Sequence, residues 1–227
     1  LHDALPIFYA NSMQRTIATA QYFSSGMLPV ANVPIEHHCA LGTMDPVFNP
    51  QFTFMSESFR RQAAREIERM GGEQGMAGIG ARMRDNYKVL ETMLDLRRSP
   101  ACGEGDTCSF RLDDTEVVME ANKEPAMRGA LRLANQASDA LILQYYEEED
   151  ARRAAFGHKL KQRDWELIAE VKDWYGDVLF TAPSVAVHVA RPLLVCMNDE
   201  LSKPQRRFCF LCGHDSNIAS VLAAPEA

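Results

Sequence analysis

A histidine and an aspartate stand side by side at His214-Asp215, between the apolar run Phe208-Cys-Phe-Leu-Cys212, a glycine at 213, and Ser216-Asn217-Ile218-Ala219-Ser220-Val221-Leu222. The run has the composition of a buried strand, and the segment after it that of a helix start. Strand, glycine turn and helix N-terminus put both side chains at a strand's carboxyl end, where open α/β sheets bind ligands. Helix N-termini favour anions, phosphate above all. An imidazole beside a carboxyl group at such a place points to phosphate chemistry. The pair also has a plain structural use, because Asp215 is a good N-cap. His2-Asp3 repeats the dipeptide with no strand before it.

A second junction lies near the other end. Ile7-Phe8-Tyr9-Ala10 reads as a strand, and Asn11 or Ser12 is placed to cap a helix running through residues 16–23. Arg15 then falls in the first helical turn, where the dipole disfavours a cation unless an anion sits in front of it. Taken alone, Arg15 reads as a solvated arginine. Taken with His214 on a second strand-to-helix junction, it reads as half of a shared anion site.

Two junctions of this kind need an α/β frame to hold them. Residues 33–37 offer a short further strand, and Gly42-Thr43-Met44-Asp45-Pro46 with Asn49-Pro50 marks an exit from that layer. From about 56 to 197 the apolar period is helical. Phe59, Ala63, Ile67 and Met70 share a face that stops at Gly71-Gly72; Met83, Tyr87, Leu90 and Leu94 form a second stripe. Residues 131–146 are apolar over most faces and read as a buried helix. Trp165, Ile168, Val171 and Tyr175 form another stripe, and Val185, Val189, Leu193 and Cys196 one more, with Pro192 expected to kink the last helix. The expected organisation is therefore 1–50 as part of an α/β domain, 51–200 as an inserted helical domain, and 201–227 as the rest of the α/β domain.

The 227 residues suffice for a sizeable core. A net charge of −7 offers no basic face to a nucleic-acid backbone, yet leaves room for a small anion held by a few arginines. No apolar run approaches the ~20 residues of a membrane span. Residue 1 is leucine, so the absence of a visible signal peptide says little about targeting. Glu147-Glu148-Glu149-Asp150 is most simply a solvated helix end, and His37, His38 and His158 show no metal-ligand spacing. Cys102 and Cys108 flank a short polar loop that suits either a local disulfide or two free thiols. Cys209 and Cys212 match C-x-x-C, but three apart on a strand they face opposite ways and read as core residues.

Taken together, these motifs resemble the histidine acid phosphatases. Those that carry the likeness are Tyr9-Ala-Asn-Ser-Met-Gln-Arg15-Thr16, Ala18-Thr19-Ala20, Gly42-Thr-Met-Asp-Pro46, Leu143-Gln-Tyr-Tyr-Glu147 and Gly213-His-Asp-Ser-Asn-Ile-Ala-Ser220. Within that family the likeness is strongest to the periplasmic glucose-1-phosphatases, relatives of the bacterial phytases, and runs from about residue 8 to residue 222. It implies a phosphoglycerate-mutase-like α/β domain with an inserted helical domain. It implies hydrolysis of sugar phosphates such as glucose 1-phosphate through a phosphohistidine, with no cofactor and no metal. Arg15 and His214 are thereby assigned to a phosphate clamp, Asp215 to proton donation to the leaving alcohol, and Glu147 to contact with the sugar at the pocket mouth. A carboxylate there disfavours a highly phosphorylated substrate such as phytate. The resemblance also implies a Cys102–Cys108 disulfide, a periplasmic location, and a small phosphorylated substrate rather than nucleic acid or membrane as partner; it leaves a homodimer open.

The likeness has gaps. The family's nucleophile sits in Arg-His-Gly-x-Arg-x-Pro, which occurs nowhere in the chain, and residues 1–7 do not match. The expectation is a piece of a larger phosphatase that alone binds phosphate weakly and turns over little or nothing. Phytase-like activity on inositol phosphates is one alternative. A non-catalytic relative that binds a phosphorylated ligand or another protein is the other.

Overall fold

The computed structural model describes residues 6–100, 102–103, 108–150 and 152–226; His2-Asp3 and most of the 103–107 loop lie outside the described residues. In chain order the elements are β1 (Ile7–Ala10), α1 (Gln14–Met27), β2 (Ile35–Glu36), α2 (Glu57–Met70), α3 (Met76–Arg82), α4 (Arg84–Met93), β3 (Glu116–Val118), β4 (Ala126–Arg128), α5 (Ala130–Glu147), α6 (Gln162–Phe180), α7 (Pro183–Leu201), β5 (Cys209–Cys212) and α8 (Asp215–Ala223). They divide into two units. One gathers Leu1–Phe54, Ala121–Glu124 and Pro183–Ala227, the other Met55–Glu120 and Pro125–Ala182.

The first unit is built on a parallel sheet of order β2-β1-β5. Strand alternation sorts its side chains into two faces. Ala10 and Cys212 pack with Ala20 and Ile17 of α1 on one face. Tyr9 packs with Phe48 and with Leu193 of α7 on the other, where Val221 of α8 joins them. Phe8, fully buried, adds an aromatic knot with Phe23, Phe208 and Phe210 on the α1 side. Helices on both faces of parallel strands are the arrangement of an open α/β sheet. Leu211 lies in one cluster and Cys212 in the other, so opposed faces hold for β5 as its sequence requires. Cys209 and Cys212 are free thiols, and burial raises both, Cys209 to about 11.

The second unit is helical, with α5 packed on α6 and α4. Ser56 caps α2 by accepting from Phe59 N (3.1 Å), and Gly71 follows its last residue, as the stripe predicts. The α5 N-terminus is closed from a distance: Asp114 Oδ1 accepts from Ala130 N (2.9 Å) and Thr115 Oγ1 from Leu131 N. Gly129 permits this approach. Its φ is +87°, and a Cβ there would lie 2.1 Å from Asp114 O.

Two expectations need correction. α5 is not buried over most faces: Ala130, Leu131, Ala134, Ser138 and Leu141 form a single buried stripe, whereas Leu133, Leu143, Tyr145 and Tyr146 are exposed. An apolar residue off the packed stripe of a helix simply remains at the surface. The region read as wholly helical also contains the antiparallel pair β3–β4, with Glu116 opposite Arg128. Two three-residue strands are too short to show a period.

Candidate functional site

β1 and β5 end level, with Ala10 opposite Cys212. Asn11 N donates to Cys212 O (2.9 Å), extending the ladder one step beyond the last pair. The chain therefore leaves the sheet twice at one edge, through Asn11 and through Gly213. A Cβ on Gly213 would lie 2.5 Å from Asn217 Oδ1 and 2.8 Å from the Phe48 ring, so the turn has no space for a side chain. His214 is the residue before α8. Its N–H donates to Asn217 Oδ1 (2.9 Å), while Asn217 Nδ2 donates to Phe48 O (3.0 Å). The buried Asn217 thus ties the first turn of α8 to the loop carrying Phe48.

The imidazole of His214 lies between two side chains from the β1–α1 junction. Arg15 Nη2 is 3.2 Å from its Nδ1, and Asn11 Nδ2 is 2.7 Å from its Nε2. Arg15 is the second residue of α1 and is exposed; no acidic residue shares its turn. Asp215 is the first residue of α8, exposed, with Oδ1 accepting from Ser216 N (2.9 Å). It occupies the first helical position, and the cap is His214, whose N–H is bound by Asn217, so Asp215 itself is not the N-cap. Burial first, then Arg15, lower the His214 pKa from its usual value; Asp215 opposes them in part. The ring is therefore held neutral to lower pH than a free histidine.

Neither Asn11 nor Ser12 caps α1. The residue before that helix is Met13, whose side chain makes no cap bond. Ser12 Oγ instead accepts from Cys39 N (3.0 Å), and the fully buried Asn11 faces the Gly42–Pro46 turn and His214. Its Oδ1 accepts from Asp45 N (2.9 Å), and its Nδ2 reaches Met44 Sδ (3.2 Å) as well as the imidazole. Asp45 is itself buried. Its Oδ2 accepts from Tyr9 OH (2.7 Å) and its Oδ1 from Val47 N (2.9 Å). Burial and that hydrogen bond push the Tyr9 phenol far up, so Tyr9 stays the donor. Sequence reasoning quoted Asn11, Asp45 and Asn217 within motifs but gave none of them this role.

The structure brings Arg15 and His214 into contact, with Asp215 next along the chain. Glu147 is the last residue of α5, in the second unit, and is exposed. Cys102 and Cys108 are joined by a disulfide. Among the described residues no three histidine, cysteine or acidic side chains cluster as a metal site.

Residues 2–224 match the model of the histidine phosphatase superfamily (branch 2), so the expectation that residues 1–7 fall outside the likeness is corrected from residue 2 onward. The chain is 40% identical to the glucose-1-phosphatase of Salmonella typhimurium over 223 residues, covering 95% of this chain and 51% of that one. It is 36% identical to the glucose-1-phosphatase of Providencia rettgeri over 222 residues, covering 96% and 52%. It thus spans about half the length of these curated relatives. The apo form of Hafnia alvei phytase superposes with a TM-score of 0.82 at 22% identity, over 97% of this chain and 56% of that one, a likeness of fold.

Proposed function

The chain belongs to the histidine phosphatase superfamily (branch 2), and from that premise we propose that the protein is a histidine-type acid phosphatase acting on sugar phosphates such as glucose 1-phosphate. The observation that carries this reading is the contact of Arg15 with His214 at the shared edge of β1 and β5. A guanidinium and a neutral imidazole donor there would hold the phosphoryl oxygens, whose charge must be matched by fixed donors as the P–O bond breaks. Asp215, exposed beside them, would give its proton to the departing alkoxide, leaving the alcohol and a carboxylate.

The nucleophile is assigned to no residue here, because Arg-His-Gly-x-Arg-x-Pro does not occur in the chain. Relatives at 36–40% identity are glucose-1-phosphatases, which supports a sugar phosphate ahead of an inositol phosphate. The Cys102–Cys108 disulfide supports an oxidising compartment, and we place the protein in the periplasm.

Calorimetric titration with inorganic phosphate and with glucose 1-phosphate tests the clamp. Arg15→Ala should weaken both by ten- to a hundredfold, the scale of one hydrogen bond to a charged group; unchanged affinity removes Arg15 from the site. The missing motif favours one second reading, a non-catalytic binder. Reading the gene upstream of codon 1 separates the two. An in-frame Arg-His-Gly-x-Arg-x-Pro in the expressed protein supports the enzyme, and its absence supports the binder.

A further inference from the structure

We propose that Asn11 is a positioning residue that holds His214 as the Nδ1–H tautomer, so that the imidazole and Arg15 donate together to one phosphoryl oxygen. This rests on the phosphate reading above.

The Asn11 amide has a fixed orientation. Its oxygen faces a main-chain donor, Asp45 N, at 2.9 Å, so the nitrogen must be the end that faces His214 at 2.7 Å. Asp45 cannot easily move, since both its carboxylate oxygens are bound, by Tyr9 OH and Val47 N. Asn11 is fully buried, and Thr16 Oγ1 donates to its main-chain carbonyl oxygen (2.6 Å). An amide N–H directed at Nε2 requires a lone pair there, and a neutral imidazole with a bare Nε2 carries its proton on Nδ1. Nδ1 is the atom that faces Arg15 Nη2 at 3.2 Å. A guanidinium has donors only.

Two donors consequently converge at the sheet edge. One anion oxygen can accept from both. The opposite tautomer would let Nδ1 accept from Arg15 at 3.2 Å, but Nε2–H would then abut the Asn11 N–H at the shorter, 2.7 Å contact, and a lone pair would face the phosphoryl oxygen. Asn11 thereby lets a neutral histidine act as a donor to phosphate.

The test reads the ring directly. With ¹⁵N-labelled histidine and no phosphate, at a pH where His214 is neutral, the ring-nitrogen signals should show a protonated Nδ1 and a bare Nε2. Asn11→Asp keeps the shape and the acceptor for Asp45 N, but its carboxylate only accepts. It should move the proton to Nε2 and weaken inorganic phosphate binding at least tenfold, a loss of the size expected for one hydrogen bond. Asn11→Ala, which adds no charge, should abolish the Nδ1–H preference and weaken binding to a smaller degree. A proton on Nε2 in the unaltered protein, or an unchanged tautomer in Asn11→Asp, overturns the proposal. Should Asn11→Asp not fold, the spectrum of the unaltered protein still decides. Nδ1–H together with no phosphate binding overturns the phosphate reading and leaves the tautomer assignment standing.

Discussion

The two units bury polar side chains for different ends. In the helical unit, Asn86 donates to Leu167 O (2.8 Å) and to Glu170 Oε2 (3.0 Å), and Ser138 donates to Ile168 O (2.6 Å). Each of these bonds fastens one helix to α6, and the groups involved lead to no further functional side chain. In the sheet unit, Tyr9, Asp45, Asn11 and His214 form a relay in which every member fixes the orientation of the next. Burial is as complete in both, since Ser138 and Asn11 are each 0% exposed. What differs is the terminus of the chain of bonds: main-chain carbonyls and the Glu170 carboxylate of α6 in one unit, a partly open imidazole in the other. Polar burial by itself therefore says nothing about function, and the direction in which the bonds lead says a good deal.

The comparison predicts that stability and phosphate affinity separate. The largest effect should come from Leu131→Ala, where a fully buried α5 side chain is lost; the cavity costs about 3 kcal/mol in denaturant unfolding. Affinity of the folded protein for phosphate should be unaltered, and a parallel loss of binding would break the distinction. Asn86→Ala should cost about 2 kcal/mol, because Leu167 O and Glu170 lose a buried donor. Phosphate titration of that variant should again match the parent. Arg15→Ala should do the reverse, changing unfolding by only a few tenths of a kcal/mol, since it removes a cation from a helix N-terminus, while weakening phosphate.

The smallest effect is one of pH. His214 and His188, both in the sheet unit, have lowered folded pKa values, each chiefly through burial and next through an arginine, Arg15 or Arg191. As pH falls through 6.5 the unfolded chain takes up protons that the folded histidines refuse. Their contribution is complete above 6.5 and lost below it, toward the folded pKa. Asp177 in α6 runs the opposite way, raised by burial and Asp173, so its unfavourable contribution is relieved on further acidification. Melting curves from pH 7.5 to 5.5 should fall for the native chain and fall less for His188→Gln.

Much of the fold could be read from residue patterns. β1 occupies the four residues its composition indicates, and α2 stops at Gly71. Arg15 and His214, each disfavoured or ambiguous alone, became informative because both sat after strands, and the structure puts them 3.2 Å apart. The role of Asn11 was illegible for a physical reason. An asparagine after a strand suits a cap equally well, and its actual partner lies 203 residues away. α7 shows the same limit. Its stripe of Val185, Val189, Leu193 and Cys196 identifies a helix, but not that Leu193 and Cys196 lie against Tyr9 and Phe48.

The pairing of β1 with β5 also sets an order in time. β1 lies at the centre of its sheet, yet one of its two neighbours is separated from it by nearly the whole described chain. Closing so long a loop is slow compared with forming helices whose contacts are near in sequence. Met55–Glu120 and Pro125–Ala182 can collapse on their own contacts while β1 still waits with one edge unpaired, a state in which strands are open to wrong partners. The imidazole and the guanidinium come within reach only when that edge closes. On refolding, recovery of phosphate binding should therefore trail recovery of helical signal, and the interval between them is when the protein is most exposed to aggregation.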